Sequence, residues 1–297
     1  MEKDIAIRWL EQTKFTDSSY KNKRGHALLI AGSESYSGAA VLAGNAAMRA
    51  GVGLVTIVTP GSSKDSVASR VLPEVIVRGV SETESGAVAE AAFTEIAALL
   101  EKADAVAIGS GISQDESTKK FVQKVIENRR QPTVVDADAL NLLSPFALSG
   151  EHSESPHQMI LTPHEGEFMR LLGTDDKDAI KDRVAAVREF AVKNNVILVL
   201  KGERVLVGAP DGRVVVNPTG NSGLGKAGNG DTLTGILAGF AAQAVKFNID
   251  IFETVVAAVY VAGMAGDIAE QKYGKRVMTA SDVRECLSET FEQLAGN

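Results

Sequence analysis

The chain has 297 residues, 44% of them hydrophobic and 23% charged, with a formal net charge of −7. This describes an ordinary globular protein able to bury a core without disulfides or structural metals, and the acidic balance argues against a nucleic-acid-binding surface. The single cysteine, Cys286, excludes an intramolecular disulfide and a cysteine-built zinc site.

Residues 1–13 carry charges throughout and lack the apolar centre of a signal peptide. No uninterrupted apolar run approaches the roughly 18 residues that a membrane span needs. The expectation is a cytoplasmic protein with neither a membrane nor a nucleic acid as partner. Short apolar, β-branched runs then recur at 27–31, 54–59, 105–108, 133–135, 159–161 and 196–200. Helical patterns lie between them at 39–50, 86–100, 117–128, 165–172 and 178–193. Continuous apolar strands alternating with helices predict a parallel sheet covered on both faces, an α/β fold of three layers with right-handed crossovers. Residues 204–209 and 213–216, joined by Pro210-Asp211-Gly212, predict a β-hairpin added after the last parallel strand. Three helices are expected to follow, at 231–245, 251–273 and 280–295, the last with Cys286 as a packed thiol. Residues 151–156 read as a flexible surface loop. With no internal repeat and no linker, residues 1–297 read as one domain.

In open α/β sheets, ligands bind beyond the carboxyl ends of the strands. Four of those turns are unusual. Residues 217–231 read NPTGNSGLGKAGNGD and lead into a helix. Glycines there let backbone N–H groups face an anion, the helix dipole favours negative charge at the same place, and Asp231 stands at the entrance as a base. An N-cap role would suit Asp231 too, but a cap does not need five glycines before it. Gly220 to Lys226 match the spacing of a Walker A motif, yet Ala227 replaces its Ser or Thr, and the first strand–helix turn lacks the Rossmann glycines. After the strand at 159–161, Thr162 and Glu165 have capping-box spacing with Pro163 between them, which leaves His164 and Glu167 free. His164 can contact substrate or simply face solvent. Asp136 and Asp138, after 133–135, can orient hydrated Mg²⁺ or cap the next helix. Lys201 and Arg204 can reach phosphates or remain solvated.

Taken in order, Gly32-Ser33, YSGAA at 36–40, RAGVGLVT at 49–56, Gly109-Ser110-Gly111, DADALN at 136–141, LTPHEGE at 161–167, Lys201-Gly202 and 221–235 cover nearly the whole chain. This ordered set resembles the ADP/ATP-dependent NAD(P)H-hydrate dehydratase family of the ribokinase-like superfamily. The resemblance implies a three-layer ribokinase-like fold and the repair of hydrated NADH or NADPH, S epimer, with ADP or ATP as co-substrate and Mg²⁺. Hydroxide leaves poorly, so the hydroxyl would be phosphorylated and phosphate then eliminated. Asp231 would take the hydroxyl proton, and the backbone at 227–230 would hold the transferring phosphoryl group. It further implies that Lys201, Gly202, Glu203, Arg204, Val205, Asn229 and Gly230 meet the nucleotide, while Ala40, Gly111, His164 and Asp231 line the hydrate site. A homotetramer is implied. So is a separate NAD(P)H-hydrate epimerase as functional partner, since only about 25 residues precede the first strand. The family usually has Pro at 165 and Thr or Ser at 229, where this chain has Glu165 and Asn229, and the lead-in at 19–25 is irregular. A ribokinase-like kinase of a thiazole or pyrimidine alcohol is the main rival, disfavoured by the segments at 136–141 and 162–167. A non-catalytic nucleotide sensor would have no need of Asp231.

Overall fold

A computed structural model describes residues 1–17, 19–146 and 158–296. Nine strands form one sheet: β1 (His26–Ile30), β2 (Leu54–Pro60), β3 (Ile76–Val80), β4 (Ala105–Ile108), β5 (Thr133–Val135), β6 (Met159–Leu161), β7 (Ile197–Leu200), β8 (Leu206–Gly208) and β9 (Val214–Val216). Their order is β3-β2-β1-β4-β5-β6-β7-β8-β9. The first seven are parallel; β8 and β9 run antiparallel, with Leu200 opposite Leu206 and Leu206 opposite Val216. The mostly parallel sheet and its added hairpin are therefore as expected.

The strand runs are apolar throughout because alternate residues feed different cores. Ala27 and Leu29 of β1 join one apolar cluster, and Leu28 and Ile30 join the other. The first core packs under α1 (Glu2–Gln12), α2 (Ser37–Arg49), α3 (Lys64–Ala68), α9 (Asn229–Phe247), α10 (Ile251–Tyr273), α11 (Ala280–Glu285) and α12 (Leu287–Ala295). The second lies under α4 (Ala92–Lys102), α5 (Glu116–Glu127), α6 (Ala137–Leu142), α7 (Glu165–Leu172) and α8 (Arg183–Asn194). Local signals set the ends. Asp115 caps α5 by accepting from Ser117 N at 2.8 Å, and Asp182 caps α8 through Ala185 N at 3.0 Å.

Several elements differ from the expectation. β3 is an additional edge strand, with Ile76 exposed and Arg78 and Gly79 breaking its apolar run. α1 precedes the first strand, and its Trp9 stacks on Phe240 with ring centroids 3.8 Å apart. The C-terminal helix is interrupted at the buried Cys286 and becomes α11 and α12. α10, at 23 residues, is long and apolar enough to cross a membrane despite its scattered charges, yet 72% of its apolar window is buried among neighbouring helices. The loop expected at 151–156 lies outside the described residues.

Candidate active site

The strand order reverses between β1 and β4, and there the sheet opens a crevice at its carboxyl edge. Gly32 N donates to Ser110 O at 2.8 Å across the opening. α9 lies over β1, β4 and β5 with its N-terminus at this edge. Its N-cap is Gly228, whose φ of 91° favours glycine. Asp231 is the third helical residue and makes no cap bond, so the capping account of Asp231 does not hold. Among the described residues, no acceptor meets the backbone N–H groups of Ala227, Gly228, Gly230 and Asp231. Unpaired amides at the positive end of a 19-residue helix are able to receive an anion.

The loop before α9 is held rather than loose. Asp267 of α10 accepts from Gly220 N at 2.9 Å and from Asn221 Nδ2 at 3.0 Å. Lys226 donates to the carbonyls of Arg276 and Met278 at 2.6 and 2.8 Å. Asn229 Nδ2 donates to Leu224 O at 3.1 Å, while its Oδ1 is buried without a partner beside the free amides.

Beneath Asp231 lies a charge network centred on Asp136, which the sequence offers only as a metal ligand or a helix cap. Asp136 is 1% exposed and accepts from Thr162 Oγ1 at 2.7 Å, Lys201 Nζ at 2.8 Å and Thr234 Oγ1 at 2.9 Å. Burial alone would raise the Asp136 pKa; the Lys201 charge and the three donors outweigh it and hold the carboxyl low. Burial likewise works against the Lys201 ammonium, but Asp136 and Glu167 raise its pKa, with Asp231 adding to them. Asp231 sits at the edge of this field. Burial, reinforced by the charge of Asp136, pushes its pKa from 3.8 to about 6, against the pull of Ser110 and Lys201. The Ser110 hydroxyl is buried, and Asp231 is the carboxylate it favours in its charged form. A half-buried carboxylate that titrates near neutrality suits a general base.

Two capping expectations are corrected. Asp136 precedes α6, but its side chain makes no cap bond because three donors already claim it. Asp138 turns to Ser113 N and Gln114 Nε2, at 2.9 and 3.0 Å. At α7 the capping box is shifted by two residues. His164 is the N-cap, its Nδ1 accepting from Gly166 N at 3.0 Å and Glu167 N at 3.2 Å, while Glu167 Oε2 accepts from His164 N at 2.8 Å. Thr162 is drawn off to Asp136, and Pro163 lies before the cap, its carbonyl accepting from Lys201 N at 2.8 Å. His164 and Glu167 are thus not free, although the His164 ring remains 55% exposed at the rim.

The other expected residues sort around this edge. Gly111 faces Tyr36 and Ala39 across the crevice so closely that a Cβ there would lie 2.8 and 2.9 Å from theirs. Ala40 is fully buried beneath Gly32, so the side chain offered to the rim is that of Ala39. Gly230 borders Lys201 and Asp136: a Cβ there would lie 3.5 Å from Lys201 Nζ and 3.9 Å from Asp136 Oδ2. Gly202, Glu203 and Arg204 form an exposed loop after β7, and Val205 leads into β8. Two cavities of about 330 and 340 Å³ lie elsewhere, one beside Trp9 and Gln243 and one beside Asn141 and Arg170.

The family model for NAD(P)H-hydrate dehydratase matches residues 27–289. The chain belongs to this family. It is 34% identical over 268 residues to the ADP-dependent (S)-NAD(P)H-hydrate dehydratase of Neisseria meningitidis, covering 87% of this chain and 81% of that one. It is 37% identical over 279 residues to the bifunctional NAD(P)H-hydrate repair enzyme of Moorella thermoacetica, covering 93% of this chain and 51% of the relative. The chain thus spans about half the length of such bifunctional relatives. The ADP/ATP-dependent NAD(P)H-hydrate dehydratase of Bacillus subtilis, co-crystallised with ATP and Mg²⁺, superposes with a TM-score of 0.80 at 31% identity, covering 95% of this chain and 94% of that one. The fold is the three-layer ribokinase-like one.

Proposed function

We propose that this NAD(P)H-hydrate dehydratase family member restores the S epimer of hydrated NADH or NADPH at the expense of ADP, or ATP, in the cytoplasm. The observation that carries the reading is Asp231, a base titrating near 6, set among the unpaired amides of an anion site. The hydrate hydroxyl gives its proton to Asp231 as its oxygen attacks the terminal phosphorus of the nucleotide. With ADP, AMP leaves. The free backbone amides of Ala227, Gly228, Gly230 and Asp231 take up charge on the equatorial phosphoryl oxygens. The new phosphate ester then departs as phosphate while the neighbouring carbon loses a proton, restoring the ring double bond. The sum is loss of water from the cofactor and hydrolysis of one phosphoanhydride.

The nucleotide is assigned to Lys201, Gly202, Glu203, Arg204, Val205, Asn229 and Gly230. The hydrate is assigned to Gly111, His164, Asp231 and the stretch at Ala39 and Ala40. Mg²⁺ has no protein cage here: the Asp136 carboxylate is taken by three donors, and no group of three His, Cys, Asp or Glu among the described residues is arranged to hold a metal. Mg²⁺ commonly keeps its waters and binds substrate phosphates, so it is assigned to the nucleotide and no step is routed through it. A homotetramer and functional pairing with an epimerase activity for the other epimer complete the proposal.

The test is purified protein with hydrated NADH, ADP and Mg²⁺, followed by the returning nicotinamide absorbance. Recovery that depends on ADP or ATP supports the reading. No recovery with either nucleotide, or a phosphorylated hydrate that accumulates without elimination, would sink it.

A further inference from the structure

The loop at 201–205, between β7 and β8, is fastened at its two ends. Lys201 N donates to Pro163 O, and Val205 O accepts from Asn217 N, each at 2.8 Å. Between them the backbone is strained: Gly202 has φ of 140°, and Arg204, which is not a glycine, has φ of 53°. Gly202, Glu203 and Arg204 make no backbone–backbone hydrogen bond among the described residues. One side chain holds this stretch. Arg183, the first residue of α8, donates from Nη1 to Glu203 O at 2.6 Å.

The same guanidinium lies against Gly202, where a Cβ would stand 3.0 Å from Arg183 Nη2. Gly202 is required by its φ, and the guanidinium packs on the face that a Cβ would occupy. Arg183 Nε stands 3.2 Å from Glu165 Oε1. Glu165 is the first residue of α7, immediately after His164. The pair thus links the starts of α7 and α8 to the middle of the loop. Arg183 Nε and Nη2 are themselves buried and make no hydrogen bond. Arg183 acts on the backbone it grips.

We infer that Arg183, charge-paired with Glu165, is a positioning residue that pre-shapes the 201–205 loop for the adenine nucleotide. This rests on the proposed nucleotide site. A loop held in its binding shape loses less freedom when ligand arrives, so the clamp contributes to nucleotide affinity without touching the nucleotide. A guanidinium is suited to this because one planar group serves a carbonyl and a carboxylate together, which a lysine cannot do in the same geometry.

Calorimetric titration with ADP in the presence of Mg²⁺, on wild type, Arg183→Ala, Arg183→Lys and Glu165→Gln, tests the inference. Arg183→Ala is expected to raise the Kd for ADP roughly ten- to a hundredfold, on the scale of a lost charge-assisted hydrogen bond. Arg183→Lys should fall between wild type and alanine, and Glu165→Gln should show a smaller rise. Turnover at saturating ADP and the KM for hydrated NADH should stay within about twofold, a split that general destabilisation would not produce. Where Arg183→Ala does not fold, Arg183→Lys and Glu165→Gln carry the test. Wild-type ADP affinity in folded variants overturns the clamp alone, as does an equal loss for both substrates. Absence of ADP binding by the wild type overturns the clamp together with the nucleotide site.

Discussion

Asp231 is a weaker acid than a solvated aspartate because burial and the charge of Asp136 both oppose its ionisation. As a base it works only when unprotonated, so activity should fall as pH drops through about 6. A pH–rate profile whose acid limb sits near 4 would remove Asp231 from that role. Asp231→Asn should keep ADP binding while turnover falls by about two or more decades, on general-base magnitudes; wild-type turnover would contradict the assignment. Stability should move the other way. The folded pKa is raised from 3.8 to about 6, so the linked stability is full below the lower value and lost as pH rises through the upper. The asparagine variant cannot ionise and should be more stable than wild type above pH 6, by about 1–3 kcal/mol after allowing for partial exposure. The difference should vanish near pH 4, and melting curves at both ends check it. Lys201 presents the reverse case. Lys201→Ala would leave Asp136 buried without its cation, and the cost of breaking a buried pair is about 3–5 kcal/mol. A chemical denaturation series that finds less than about 1 kcal/mol would show that the two hydroxyl donors suffice.

The elements that carry these residues differ in how plainly the sequence announces them. β1, β2 and β4 to β7 are buried on both faces, which demands unbroken apolar runs and makes them legible. β3 is not legible, because an exposed edge tolerates Arg78 and Gly79. α1 carries charge among its apolar residues and hides its buried Trp9. At the site, the glycine-rich stretch before α9 and Asp231 are local signals, readable in one window. Asp136 is different: Thr162, Lys201 and Thr234 reach it from 26, 65 and 98 residues away, and only the sheet order brings them together. The shift of the α7 cap has the same cause, since Thr162 is drawn to Asp136 and leaves the cap to His164. The position of α9 depends on small residues. A Cβ at Gly235 would run into the Ala43 carbonyl of α2, a rigid backbone atom. Gly235→Ala should therefore cost about 1–3 kcal/mol by overpacking and lower turnover by displacing α9. At Gly38 of α2 a Cβ meets nothing within 4 Å, and Gly38→Ala should be neutral or stabilising. Equal melting temperatures for the two variants would refute this account of how α9 is set.

At the scale of the molecule, the two cores are opposite faces of one sheet, and neighbouring residues of the same strand belong to different cores. Leu28 and Ile30 cannot leave the second cluster without moving Ala27 and Leu29 in the first. The chain termini are drawn into the same unit. Trp9 of α1 stacks on Phe240 of α9 and donates to Thr254 of α10 at 3.2 Å, and Phe240 also packs near Phe291 of α12. We therefore propose that the chain unfolds as one cooperative domain. The chain has a single tryptophan, so its fluorescence reports Trp9 at the α1–α9 contact, while far-ultraviolet circular dichroism reports helices on both faces of the sheet. The two probes should give coincident urea transitions with one midpoint and one slope. A fluorescence transition well before the loss of helix would mean that α1 detaches from a sheet that survives it. In that case, deleting α1 should leave the later transition in place. If the transitions coincide, Trp9→Ala should lower the single midpoint, with a loss of about 3–5 kcal/mol on large-to-small core magnitudes, and should weaken the site only as far as it weakens the whole fold.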